Sequence, residues 1–167
     1  MRKIYIGIDP GISGGIAAVD EDGNLVSAHL LPVVSAKKGG KELHLREVCR
    51  LIEGYMALGQ CFAAIEKVHA MPKQGVRSVW RFAQATGQVE GVIAALRIPY
   101  FRVPPQRWQK EYLRFTNGGA DKKQRSVMAA SELFPDLELP RKKDHNKAES
   151  VLIADFCRKH HNMAMED

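Results

Sequence analysis

The chain opens with Ile4, Ile6 and Ile8 alternating along Lys3 to Asp9, the two-residue period of a strand that turns one face to a core. Pro10-Gly11-Ile12-Ser13-Gly14-Gly15 is turn-forming, and Ile16 to Val19 resumes strand character. Asp22-Gly23 marks a hairpin before a third strand at Leu25 to Leu31, so the opening is predicted to be a three-stranded antiparallel meander. Pro32 to Glu42 is basic and glycine-containing and reads as a mobile loop. Leu45, Val48, Cys49, Ile52, Tyr55 and Met56 then recur at helical spacing, and Gly59 stops that helix. Cys61 to Glu66 is an apolar run ending on a charge, as expected of a buried central strand.

A loop from Lys67 to Gly75 leads to a second helix over Val76 to Leu96, and Pro99 to Val103 is another strand. Pro104-Pro105 starts a helix through Trp108 and Tyr112, since proline suits a first helical position. After a loop at Thr116 to Ala120, Asp121 can cap a helix from Lys122 to Leu133 that Phe134-Pro135 ends. Asp144 reads as the N-cap of a last helix, about His145 to His161. The order βββ-α-β-α-β-α-α-α predicts an α/β protein: a mixed sheet, meander plus parallel strands, flanked by helices. It forms one domain over 1–167, with the mobile loop at about 32–42 and a short C-terminal tail at about 161–167.

With 167 residues, 45% of them hydrophobic, the chain can build a real core. No apolar run nears the roughly 20 residues of a membrane span, and charge arrives too early at the N-terminus for a signal peptide. A cytoplasmic protein with no membrane partner is expected. Cys49, Cys61 and Cys157 are odd in number and lack CxxC spacing, which argues against disulfides and zinc.

Net charge is +6, and the basic residues are clustered. The clusters are Lys37-Lys38 with Lys41, Lys73 with Arg77 and Arg81, Lys122-Lys123 with Arg125, and Arg141-Lys142-Lys143. Such patches suit a polyanion, because lysine and arginine on phosphates release condensed counterions.

Four positions can converge in this order of elements. Asp9 ends the first strand and Glu66 the central one; if those strands are neighbours, both carboxylates project from one end of the sheet. His145 and Glu149 are four residues apart, so they share one face of the last helix. Singly, each has a plainer reading as a turn, a strand end, a helix start or a solvated position. Crowded carboxylates repel unless protonated or bound to cations, and hard ions such as Mg²⁺ or Mn²⁺ take oxygen ligands, with imidazole acceptable to Mn²⁺. Two such ions about 3.5–4 Å apart would clamp an in-line phosphodiester displacement. Asp144 is the fallback ligand, although five residues turn it about 140° away from Glu149 on an ideal helix. Asp20, Asp22, Asp121 and Asp155 are assigned to turn, cap or surface roles.

Gly7-Ile8-Asp9-Pro10-Gly11 with Gly14-Gly15, followed by Ala64-Ile65-Glu66-Lys67-Val68, resembles the first two motifs of RuvC-type Holliday-junction resolvases. Ala130-Ser131-Glu132-Leu133-Phe134-Pro135 and the stretch Lys142-Lys143-Asp144-His145-Asn146-Lys147-Ala148-Glu149 are similar to the plant chloroplast resolvase and phage RuvC-like nucleases. Bacterial members carry aspartates spaced by three in the last motif. Here Asn146 stands three before Glu149, so the His…Glu version fits instead.

The resemblance implies an RNase H-like fold, a homodimer, and two Mg²⁺ or Mn²⁺ ions held by Asp9, Glu66, His145 and Glu149. It also implies symmetric paired nicks in four-way DNA junctions, leaving 5′-phosphate and 3′-hydroxyl ends, with no nucleotide cofactor. Lys123 falls where the subgroup has a lysine near the active site, with Lys122 or Arg125 as alternatives. Met71, Lys73, Gln74 and Arg77 lie in a stretch resembling the family's loop beside the junction centre. With Lys122, Arg125, Lys142 and Lys143 they form the expected DNA-binding set. Trp80 and Phe82 are expected in the core or a dimer contact. The rival readings are another RNase H-like nuclease acting on forks, flaps or RNA–DNA hybrids, and a non-catalytic junction-binding protein.

Overall fold

The computed structural model describes residues 1–37, 39–67, 75–114, 121–141 and 144–165. Strands β1 (Lys3–Asp9), β2 (Gly15–Asp20) and β3 (Leu25–Leu30) form the predicted antiparallel meander. A short pair, β4 (Val33–Ser35) and β5 (Lys41–Leu43), precedes helix α1 (Leu45–Met56). Strand β6 (Gln60–Glu66), helix α2 (Val76–Ala95), strand β7 (Tyr100–Val103) and helix α3 (Pro105–Tyr112) follow. Helices α4 (Lys122–Leu133) and α5 (His145–His160) complete the chain before a terminal 3₁₀ turn at His161–Met165.

The main sheet has five strands in the order β3-β2-β1-β6-β7, with β6 parallel to both β1 and β7. The apolar pattern dictates its two faces. On one, Ile4, Ile6, Ile8, Ile16, Cys61, Ala63 and Ile65 pack with Val48 and Ile52 of α1 and Val89 and Ile93 of α2. On the other, Tyr5, Ala17, Val19, Phe62 and Ala64 meet Trp108 of α3, Ala129 and Ala130 of α4, and much of α5. Helix α5 is apolar around most of its girth and every residue from Ala148 to Cys157 is buried, as a central helix requires.

Gly7 lets α5 lie directly on β1. A Cβ there would stand 2.1 Å from the Ala154 backbone nitrogen and 2.2 Å from the Ser150 carbonyl oxygen. The absence of a side chain therefore sets the depth of the helix against the sheet.

Four expectations need adjustment. The stretch from Pro32 to Glu42, read as a loop, carries the β4–β5 hairpin. Val33 and Val34 favour strand, Gly39 and Gly40 take positive φ at the bend, and Leu43 is buried. Asp155, assigned to a cap or surface role, is buried and accepts hydrogen bonds from Tyr112 Oη at 2.8 Å and Arg158 Nε at 2.9 Å. Asp144 occupies the cap position of α5 but its side chain makes no cap bond. The stretch from His161, read as a tail, forms the 3₁₀ turn, where the His161 ring packs on Tyr5 and Phe62. Cys49, Cys61 and Cys157 are free thiols, as expected.

Candidate active site

Side-chain alternation brings the carboxylates together. Asp9 shares the α5-facing side of β1 with Tyr5 and Gly7, and Glu66 shares that side of β6 with Phe62 and Ala64. The parallel register ends at Ile8 opposite Ile65, so the next rung sets Asp9 beside Glu66 at one end of the sheet. Glu149, one residue before the Ser150 that touches Gly7, hangs from α5 over the same spot.

Beyond Asp9 the chain must double back at once into β2. Gly14 donates its N–H to the Gly11 carbonyl at 3.0 Å, and Gly11 adopts φ +139°. A Cβ on Gly14 would lie 2.0 Å from the Asp9 carbonyl oxygen. The Asn146 side-chain amide donates to the Ser13 carbonyl and ties the start of α5 to this turn.

Burial first, then the charges of Glu66 and Glu149, push the Asp9 carboxyl well above its ordinary range, with Lys122 pulling it back in part. Glu66 is also raised, chiefly by burial and further by Glu149, while the Trp108 hydrogen bond and Lys122 oppose the shift. Three acidic groups therefore share one electrostatic environment.

Glu66 Oε1 accepts from the Trp108 indole at 3.0 Å, and Glu149 Oε1 accepts from Ser126 Oγ at 3.2 Å. Among the described residues no hydrogen bond reaches the Asp9 carboxylate. An all-oxygen donor set with unfilled lone pairs and mutual repulsion fits a hard divalent cation. Among the described residues, no three His, Cys, Asp or Glu side chains are yet gathered closely enough to enclose one.

His145 borders the same cleft as Glu149, together with Ser13, Asn146, Asp121, Lys122 and Lys123. Asp144 is committed elsewhere. Its buried carboxylate receives the Arg141 backbone N–H at 2.9 Å and the Arg141 guanidinium at 3.0 Å. Burial alone would raise Asp144, but those bonds and the Lys147 charge outweigh it and hold the carboxyl below its usual range. Asp144 therefore clamps the loop before α5, and His145 is the residue left beside Glu149.

A second cleft flanks Asp9 on its other side, lined by Pro10 to Gly14, Lys41, Arg77, Arg81, Phe82 and Asn146. Ser13 and Asn146 border both clefts, and each cleft carries cations. Arg77 lines the second cleft. Arg125 lines neither cleft; its Nε is buried without a hydrogen-bond partner among the described residues. Met71, Lys73, Gln74, Lys142 and Lys143 lie outside the described residues.

Sequence reasoning singled out Lys123, but the charge that reaches Asp9 and Glu66 is that of Lys122. We expect Lys122→Ala to slow cleavage roughly 10- to 100-fold and Lys123→Ala by less than about fivefold, by analogy with loss of one charge-stabilising donor. Single-turnover rates on a common substrate check this, and equal losses would remove the distinction. Trp108 and Ser126 were missed as carboxylate partners. Neither belongs to an acidic motif, and both reach the site only through the packing of α3 and α4. Lys41 and Arg81 belonged to noted clusters, but only the hairpin brings Lys41, and only the docking of α2 brings Arg81, to the cleft that Asp9 lines.

A mixed sheet of this order, with acidic groups gathered at one end between β1, β6 and α5, defines an RNase H-like nuclease. Residues 5–154 match the family described as Crossover junction endodeoxyribonuclease RuvC, and the chain belongs to that family. Members are Holliday-junction resolvases, divalent-metal-dependent endonucleases that act on branched DNA, and that is the activity of this protein.

Among solved structures the chain is similar to RuvC of T. thermophilus in complex with a Holliday junction substrate. The TM-score is 0.64 and the identity 14%, covering 98% of this chain and 96% of that one. A further Thermus thermophilus RuvC structure matches with TM-score 0.60 and 17% identity, covering the same 98% and 96%. No curated protein matches.

Proposed function

We propose that Asp9, Glu66, His145 and Glu149 together hold two Mg²⁺ or Mn²⁺ ions, and that the protein nicks two strands of like polarity at a four-way junction. The observation that carries this reading is the nearness of three acidic side chains, Asp9, Glu66 and Glu149, between a cleft lined by Lys41, Arg77 and Arg81 and a cleft lined by Lys122 and Lys123. When bound, the ions supply Lewis acidity for attack of water on the phosphate and departure of the 3′ oxygen. The protein's own groups do the rest. Asp9 and Glu66, fixed at adjacent strand ends, and Glu149, fixed on α5, are the oxygen donors that would close on the ions. Lys122 offsets charge on the scissile phosphate, and the flanking cations hold the strands by their backbone. Hydrolysis breaks the P–O3′ bond, leaving a 5′-phosphate and a 3′-hydroxyl. The reaction takes place in the cytoplasm.

Two symmetric cuts need two sites related by a two-fold axis. Helix α2 supports such a dimer. Val76 and Trp80 are exposed at its start, Trp80 by 68%, and nothing lies within 4 Å of where Gly87 and Gly91 would carry a Cβ. Trp80 is thus outside the protomer core, while Phe82 packs toward Gly11. An exposed tryptophan followed by small residues on one helix suits close approach of a second copy. We expect Trp80→Asp to shift the protein to monomer in sedimentation and to lose paired nicking at micromolar protein. A variant that stays dimeric would move the interface off α2.

The activity itself is tested on a labelled mobile four-way junction with Mg²⁺ or Mn²⁺. Paired symmetric nicks with linear duplex spared establish the reading. Preference for forks, flaps or hybrids keeps the chemistry and sinks the substrate, and tight binding without cuts points to a binding protein.

A further inference from the structure

Trp108 touches the site twice. It is fully buried, at 0% exposure, and its indole Nε1–H donates to Glu66 Oε1 at 3.0 Å. The face of the same ring lies 6.0 Å from Lys122 Nζ. Helix α3 begins two residues after β7, the strand paired with β6, so the first turn of α3 is anchored beside the end of β6.

Each contact has a consequence. An indole N–H is a donor and never an acceptor, so in this buried place it can serve only an acceptor such as the carboxylate. Three side-chain torsions orient the Glu66 carboxylate; a fixed donor on Oε1 restricts that freedom and leaves Oε2 with no hydrogen bond among the described residues. Partners of this kind orient metal ligands, and losing one typically costs 10–100-fold in metal affinity. Lys122 is exposed on the first turn of α4, and an aromatic face within about 6 Å attracts an ammonium.

We propose that Trp108 is a positioning residue that sets both charges of the site at once. Its edge holds Glu66 for the divalent cation, and its face holds Lys122 toward the scissile phosphate. The inference rests on the reading of Glu66 as a ligand. The alternative is a core tryptophan whose N–H merely happens to be satisfied.

The decisive variant is Trp108→3-benzothienylalanine, which keeps the bicyclic face and volume but puts sulfur where the N–H was. Mn²⁺ affinity is measured by calorimetry without DNA, junction binding in Ca²⁺, and single-turnover cleavage at saturating Mn²⁺. We expect Mn²⁺ binding to weaken roughly 10- to 100-fold. Junction binding should be unchanged, and cleavage should recover to within about threefold at saturating Mn²⁺ because the ring face still holds Lys122. Trp108→Phe, with a smaller face, should lose metal affinity and also leave a rate deficit that Mn²⁺ does not rescue. A benzothienyl variant that binds Mn²⁺ like wild type overturns the proposal. Glu66→Gln separates the two levels. If it loses Mn²⁺ binding while the isostere does not, only the role of Trp108 fails. If Glu66→Gln binds Mn²⁺ normally, the ligand assignment beneath it fails as well.

Discussion

Asp9→Asn should abolish junction cleavage, by roughly a thousandfold or more, while leaving junction binding intact and making the metal-free protein more stable. The loss follows from the share a metal ligand has in transition-state stabilisation. Several kcal/mol are at stake, and each 1.36 kcal/mol is tenfold in rate. Binding should survive because the proposed phosphate contacts are the flanking cations and not Asp9.

The stability gain follows from the sign of the Asp9 shift. Burial and the neighbouring Glu66 and Glu149 charges raise its carboxyl well above the ordinary value. The folded state therefore holds the Asp9 proton more tightly than the unfolded chain does. That contribution is present at low pH and fades as pH rises from the ordinary carboxylate range toward the raised native value. At neutral pH, above the ordinary carboxylate range, the raised group is a net cost to folding, which asparagine removes. Thermal melts in EDTA should show the variant above wild type, by about 2–4 °C for each kcal/mol relieved in a chain of this size.

Adding Mg²⁺ should reverse the order, since a cation that binds only the folded state stabilises it in proportion to ln(1 + [L]/Kd). Wild type should gain and Asp9→Asn should gain little. A variant that is less stable than wild type in EDTA would show that Asp9 has a structural partner, and one that still cleaves would remove it from the metal set.

The elements that could be read from the chain are those governed by local periodicity. Ile4, Ile6 and Ile8 announced β1 and its buried face, and the helical spacing of Val48, Ile52 and Tyr55 announced α1. Asp9 and Glu66 were legible because each ends an apolar strand, where a charge must leave the core. What stayed hidden was decided at a distance. The indole of Trp108 reaches Glu66 across 42 positions, and Ser126 reaches Glu149 across 23. Asp155 looked like a surface carboxylate because Tyr112, which bonds it in the interior, comes from another helix. Asp144 looked like a cap because it precedes α5, yet Arg141 had already claimed its oxygens. The choice between Lys123 and Lys122 was hard to read from the chain for a related reason. Adjacent residues on a helix point about 100° apart, and only the docking of α4 decides which one faces the carboxylates.

Gly7→Ala should damage the fold and the site together. The added methyl would sit 2.1 Å from the Ala154 nitrogen and 2.7 Å from its Cα, both backbone atoms that no rotamer change can move. To restore contact near 3.5 Å, α5 has to lift by about 1 Å or more along much of its length. Overpacking of a close-packed core costs about 1–3 kcal/mol, and rigid backbone on the receiving side puts this case at about 3 kcal/mol or beyond. That corresponds to a fall in Tm of roughly 6–12 °C. Glu149 rides on the same helix, so its oxygens move away from Asp9 and Glu66, and a misplacement of about 1 Å is enough to cost on the order of 100-fold in rate. Gly54, on the exposed side of α1, is the matched control, because a Cβ there meets nothing within 4 Å. Gly54→Ala should stabilise by about 0.5–1 kcal/mol and leave cleavage unchanged. Urea midpoints and single-turnover rates for the pair decide the matter. If Gly7→Ala melts within about 2 °C of wild type, α5 is not seated against β1 at the depth that carries Glu149 to the site.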